Sequence, residues 1–166
     1  MITEIEGIKV GHWTDSVAQT GCTVILFPEE TIASGEIRGG APATRDFALL
    51  EPTRTVEKIN AVVLSGGSAF GLSACSGVME FLEEAKIGFS TSAGKVPIVV
   101  GLSLFDLGSG SSKVRPGHQE GKEAASVASA IAPLGRVGAG AGATVSKWRG
   151  KEFSELGGLG GATLRE

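Results

Sequence analysis

Tyrosine is absent from this chain, and the other aromatics are sparse: seven Phe and two Trp among 166 residues. That leaves little with which to stack unpaired bases. Positive charge is not in surplus either. Fifteen Lys and Arg stand against 18 Asp and Glu, a formal charge of −3, which argues against a nucleic-acid partner, whose phosphates demand clustered cations. Cysteine is scarce. Cys22 and Cys75 build neither a disulfide framework nor a zinc quartet, and their apolar, small-residue surroundings read as buried, reduced thiols of a cytosolic protein. The two histidines, His12 and His118, lie far apart without metal-binding spacing around either. No metal and no cofactor is expected. The longest apolar run, residues 96–105, is broken by Pro97, Gly101 and Ser103 and is about half of what a membrane span needs. No basic and then apolar leader opens the sequence. The expectation is a cytoplasmic protein with no membrane partner.

Disorder is excluded as the general state, because 42% of the residues are hydrophobic and 20% charged. What the chain has in excess is glycine. Its 26 glycines are about twice the usual share. They show no collagen period and lie between strongly apolar segments. The backbone must therefore turn tightly or pack closely at many points. The length suits one domain over residues 1–166. The pattern reads as an α/β (α+β) fold with its chemistry on backbone loops.

Residues 2–12 alternate weakly, as one or two short strands. Residues 22–27 (CTVILF) and 61–64 (AVVL) are short, apolar and β-branched, the signature of buried strands. Residues 31–37 read as a return strand, 39–44 as a loop and 45–50 as a short helix stopped by Pro52. After residues 65–68 (SGGS), Phe70, Ala74, Val78, Phe81, Leu82 and Ala85 recur at helical spacing, and Gly88 ends the helix. Residues 87–91 and 98–105 read as strands. Pro116 suits the first turn of a second helix, with Ala124, Val127, Ala128 and Ile131 as its buried stripe. Residues 137–164 read as strands and tight loops.

The strand–Gly66–Gly67–helix junction is the strongest local feature. A helix start offers unpaired N–H groups and a positive dipole end to an anion or oxyanion. Equally, Gly66 and Gly67 could make only a tight turn, with Ser68 as N-cap. It is no P-loop, lacking Gly-Lys-Ser/Thr, and no nucleophile elbow, because Phe70 stands where the last Gly belongs. Residues 138–143 (GAGAGA) match G-x-G-x-x-A literally, but the β-like run after them contradicts a dinucleotide fingerprint. Lys147 follows this loop. It is either an ordinary surface lysine or a partly desolvated one, able to share a proton or hold a carboxylate. No serine is singled out for a Ser-His-Asp triad.

The combined string is more specific than any of its parts. Val10-Gly11-His12-Trp13-Thr14-Asp15, Thr20-Gly21-Cys22-Thr23-Val24 and Arg38-Gly39-Gly40-Ala41-Pro42-Ala43-Thr44-Arg45 come first. Leu64-Ser65-Gly66-Gly67-Ser68-Ala69-Phe70-Gly71-Leu72 follows, then Val96-Pro97-Ile98-Val99, Phe105-Asp106-Leu107-Gly108 and the run from Gly138 to Trp148. In wording and order this resembles the DmpA-like L-aminopeptidase/D-esterase family, in its nylon-oligomer hydrolase branch.

The resemblance implies an αββα sandwich of the DmpA and ornithine acetyltransferase type, and a hydrolase of amide or peptide bonds. Such a precursor cuts itself before a Ser or Thr, which becomes the nucleophile with its own freed amine as base. Family chains are about twice as long, and the Asn and the nucleophile they carry downstream have no counterpart here. The expectation is the front, larger-chain portion of such an enzyme, inactive alone, needing its downstream half and forming homo-oligomers. By the same resemblance Lys147 is the catalytic lysine. Gly66, Gly67 and Ser68 line the pocket floor and offer backbone N–H groups, and Phe105 and Asp106 wall the pocket. Ser146 stands where the pattern usually has Gly. The other readings are a non-enzymatic relative that keeps only an assembly surface, and a small-ligand binder.

Overall fold

The computed structural model describes residues 1–164. In chain order these form strands β1 (Lys9–Asp15), β2 (Thr20–Leu26), β3 (Ala43–Arg45), β4 (Ala61–Ser65), β5 (Phe89–Thr91), β6 (Gly94–Val96), β7 (Val99–Ser103), β8 (Thr144–Val145) and β9 (Glu155–Leu156). Two helices, α1 (Ala74–Glu84) and α2 (His118–Ser126), complete the regular structure.

The β-branched runs make the central sheet, of order β1-β2-β4-β7-β3. Only β4 and β7 run parallel, with Val63 opposite Gly101 and Ser65 opposite Ser103; the other pairs are antiparallel. A parallel pair needs a crossover, and α1 supplies it. Alternation along the strands then sorts the side chains. Cys22, Val24, Ala61, Val63 and Val99 face Ala74, Cys75, Val78 and Leu82 of α1 and Ala124 and Ala125 of α2. On the other face, Val100 packs with Ile59 and Ile98 among Phe27, Phe47, Leu50, Val62 and Leu102. Val24, Val63, Val78, Val99 and Val100 are fully buried, each worth about 1.5–3 kcal/mol. Burial pushes the Cys22 thiol up to about 12 and Cys75 to about 11, so both are inert packing groups.

The α/β class and the main strands follow the sequence pattern. Several local expectations do not hold. Residues 31–37 form no strand, only a bridge between Ile32 and Lys58. Arg45 belongs to β3, and a 3-10 turn (Phe47–Leu50) replaces the short helix. Phe70 lies in a 3-10 turn (Ser68–Ser73) before α1 and is 58% exposed, stacked under the Arg115 guanidinium 3.9 Å from its ring centre. Helix α2 ends at Ser126, leaving Val127 and Ile131 exposed. The reason is tertiary: Ser129 exchanges two backbone hydrogen bonds with Val10, and this capture by β1 pulls the chain out of the helix.

The two helices cross at glycines. A Cβ on Gly77 would stand 1.8 Å from the His118 carbonyl oxygen, and one on Gly121 2.0 Å from that of Ala74. Lys122 then bridges Glu80 and Glu84, and His118 meets Glu80 at 2.7 Å. The Lys122 hydrogen bond holds the Glu80 carboxyl below its usual range. Gly77→Ala and Gly121→Ala are each expected to lower stability by about 1–3 kcal/mol, the usual cost of overpacking, measured as a shift in the urea midpoint. Gly40→Ala, with nothing within 4 Å of the new methyl, is expected to leave the midpoint in place.

Candidate active site

The carboxyl ends of parallel strands are where open α/β sheets hold ligands. Here β4 and β7 end side by side at Ser65 and Ser103, and the turn after β4 meets the loop after β7. Asp106 joins them. Its side chain is buried, with 3% exposure. Oδ1 accepts the Gly67 N–H at 2.7 Å and Oδ2 accepts the Thr20 hydroxyl at 2.7 Å. The Ser103 hydroxyl donates to the Ser68 carbonyl at 2.6 Å. A Cβ on Gly66 would fall 2.0 Å from Asp106 Oδ2, so this position has room for hydrogen alone. Gly67 has φ +79, the left-handed conformation that glycine adopts at no steric cost.

This arrangement corrects the expectation for the pocket floor. The Gly66 N–H donates to the Gly21 carbonyl (2.8 Å), the Gly67 N–H to Asp106 and the Ser68 N–H to the Leu104 carbonyl (2.9 Å). All three donors are used inside the chain. Nor does Ser68 cap a helix: it has φ +57, and the cap position falls on Gly67 with no side-chain bond.

A cleft of about 240 Å³ opens beside the turn, between Leu64, Ser65 and Ser103 on the sheet, Leu104 just after it, and Ala139 and Leu159 on the returning chain. Asp106 lies outside this lining as a buried tie, and Phe105 is 65% exposed. Lys147 also lies outside it. Of the two readings of Lys147, partly desolvated or ordinary surface lysine, the structure of the chain shows the exposed one. Strand β8 ends at Val145, Ser146 turns left-handed with φ +63, and Lys147 opens an exposed 3-10 turn (Lys147–Arg149). The 138–143 loop spends its small size elsewhere. It packs on the sheet, and a Cβ on Gly142 would sit 2.7 Å from Asp106 Cβ. The glycines themselves form a 3-10 turn (Gly138–Gly140) and a strand follows, with no helix, so the dinucleotide pattern is a false match, as its context suggested.

Sequence reasoning missed Thr20 and Ser103, which tie the turn together, and the pair His12–Thr23. His12 Nδ1 lies 3.0 Å from Thr23 Oγ1, and Nε2 lies 3.1 Å from the Pro133 carbonyl. Burial lowers the His12 pKa, against the pull of that carbonyl. Among the described residues no cluster of His, Cys, Asp or Glu is arranged to hold a metal ion. No helix among them is long and apolar enough to cross a membrane.

Residues 1–160 match the model of Peptidase family S58. The chain belongs to this family. An uncharacterised aminopeptidase of Mycobacterium tuberculosis (strain H37Rv) is 41% identical over 157 residues, covering 90% of this chain and 46% of that protein. The 6-aminohexanoate-oligomer endohydrolase of Kocuria sp. (strain KY2) is 29% identical over 168 residues, covering 98% and 43%. Among solved structures, the PH0078 protein of Pyrococcus horikoshii OT3 superposes with TM-score 0.59 at 25% identity, over 85% of this chain and 44% of that one. A beta-aminopeptidase from Burkholderia sp. gives 0.61 at 18% identity, over 85% and 42%, a likeness of fold. The chain thus spans about half the length of the curated S58 relatives it matches.

Substitutions at two positions test this local architecture. Asp106→Ala strands the Thr20 hydroxyl and the Gly67 N–H. It is expected to cost about 3 kcal/mol, the scale for hydrogen bonds to a charged group, with Asp106→Asn costing clearly less in the same denaturant titration. Ser146→Gly, which relieves a left-handed serine, is expected to raise stability by up to about 1 kcal/mol.

Proposed function

We propose that this chain is the larger-chain portion of a self-processing amide hydrolase, an aminopeptidase or amidase. Its nucleophile is a Ser or Thr hydroxyl supplied by a downstream half, with that residue's own freed amine as the base. The observation that carries the reading is the S58 match across residues 1–160. It is supported by what the described residues hold. Their one hydroxyl–imidazole pair, Thr23 with His12, is unfit to attack: Thr23 is 2% exposed and its oxygen already accepts the Ala139 N–H.

In this reading the cleft between Leu64, Leu102, Leu104 and Leu159 takes the aliphatic part of a small amide or peptide. The name of the Kocuria relative points to substrates built from 6-aminohexanoate. Lys147 sits at the exposed end of the glycine-rich segment and reaches the nucleophile once the second half is seated. There it orients the hydroxyl or shares its proton. The half-buried sheet face carrying Ile25, Val62, Leu64 and Leu102 is the seat for that half, and apolar surface of this kind also favours homo-oligomers. The reaction calls on no cofactor.

The test joins the downstream half to the chain and follows self-cleavage by gel and turnover of an aminoacyl p-nitroanilide. Lys147→Ala is expected to cut both by roughly 10²-fold or more, the scale of a lost proton-transfer partner. Lys147→Arg rescues little, because guanidinium keeps its proton, and Lys151→Ala behaves as the parent. The 166-residue chain by itself is expected to hydrolyse nothing. Parent-like processing in Lys147→Ala would remove the lysine from the mechanism, and turnover by the chain alone would remove the need for a second half.

A further inference from the structure

We propose that His12 is a positioning residue of this hydrolase: through the Thr23 hydroxyl it holds the 138–143 loop on the sheet and so sets where the chain leading to Lys147 begins. The hold on the loop stands by itself, while its bearing on a hydrolase and on Lys147 rests on the function proposed above.

The directions of the hydrogen bonds follow from the partners. The Pro133 carbonyl can only accept, so Nε2 of His12 carries a proton. In the neutral ring Nδ1 is then a bare acceptor, and the Thr23 hydroxyl 3.0 Å away donates to it. That leaves the Thr23 oxygen free to accept the Ala139 N–H at 3.1 Å. Thr14 Oγ1 adds a second anchor by accepting the Gly138 N–H at 2.7 Å. The loop fits this pair closely. A Cβ on Gly138 would lie 2.2 Å from Thr23 Oγ1 and 2.7 Å from His12 Nδ1, and Gly138 has φ +53.

A second proton reverses one bond. The imidazolium donates from both nitrogens, and the hydroxyl hydrogen of the buried Thr23 loses its acceptor. Burial already holds the His12 pKa below its ordinary value. An unfolded chain therefore binds this proton more readily than the folded one. The attachment is complete above about pH 6.5, the ordinary histidine value, and is lost as the pH falls through the interval below it.

The ionisable groups on the surrounding elements leave this dependence to His12. At the N-terminal turn the Met1 amine, which lines the pocket next to His12, pairs with Glu4. On β1, Asp15 accepts the Val17 and Ala18 N–H groups, and Lys9 sits at an odd position, like Gly11. Helix α2, with His118, Glu120, Lys122 and Glu123, packs on the Gly11 face, opposite His12. On the returning chain the Arg136 guanidinium donates to the Ala141 carbonyl.

The experiment is NMR on the 166-residue chain. The imidazole nitrogen shifts at pH 7.5 should show the proton on Nε2. Ala139 amide exchange, corrected for its intrinsic pH dependence, should lose roughly tenfold protection between pH 7.5 and 5, the scale of one lost hydrogen bond. His12→Asn keeps an acceptor for Thr23 that does not titrate, so it should flatten that profile and keep protection at pH 7.5. His12→Leu should lose it at every pH. A proton on Nδ1 in the parent, or an unchanged acid step in His12→Asn, would overturn the proposal even if His12→Leu does not fold. With the downstream half joined, His12→Asn should shift the acid limb of self-cleavage and leave its rate at pH 7.5 within a few-fold. A joined parent that cleaves at no pH would sink the function proposed above, while Ala139 exchange would still decide the attachment.

Discussion

A buried carboxylate must be paired and hydrogen-bonded or it destabilises the fold, and Asp106 meets that demand at one place only. Its two oxygens take the Thr20 hydroxyl from the start of β2 and the Gly67 N–H from the end of β4. It thereby ties three separate stretches of chain at the carboxyl ends of the parallel strands. The glycines around it follow from this. Gly66 lacks a side chain because the carboxylate occupies the space a Cβ would need, and at Gly142 the Gln19 carbonyl and the Asp106 side chain together fill that space. The turn that a sequence reader would assign to an anion is already satisfied by the chain's own anion.

The same economy of bulk runs through the rest of the molecule. Where helices α1 and α2 cross, Gly77 and Gly121 let backbone rest on backbone. Where the returning chain meets the sheet, Gly138 rests on the His12–Thr23 pair. Close backbone approach replaces much of what large side chains do elsewhere, which is why seven Phe, two Trp and no Tyr suffice for two apolar clusters. Such packing is unforgiving, since a methyl group has nowhere to go.

In the function proposed above, neither histidine is asked to act as base. His118 is engaged with Glu80 on the helix surface, and His12 is turned inward toward Thr23 and Pro133. The cleft beside Ser65 and Ser103 and the turn carrying Lys147 both stay open to solvent. A wider cleft of about 340 Å³, at the amino-terminal end of β4, is lined by Glu29, Glu30, Glu57, Lys58 and Lys95. Its Glu30 and Lys58 already pair with each other, which marks it as solvated surface.

The order of apolar and glycine-rich segments by itself determined the α/β class, the buried strands β2, β4 and β7, the helix after the Gly66–Gly67 junction, and the family. These depend on local periodicity and on residue order, both of which are written in one dimension. Tertiary structure decided the rest. Ser129 pairs with Val10 across more than a hundred residues and ends α2 early. Asp106 and the carbonyls of Gly21 and Leu104 take the N–H donors that residues 66–68 could have offered to a substrate, and the left-handed Ser146 carries Lys147 off the strand. Thr20, Thr23 and His12 stand in the strings that carry the family resemblance, but their roles were not legible there, because each gains its role from a partner distant in the chain: Asp106, Ala139 and Pro133. A hydrogen bond between distant residues exists only once the sheet has brought them within 3 Å or so, and no pattern along the chain records it.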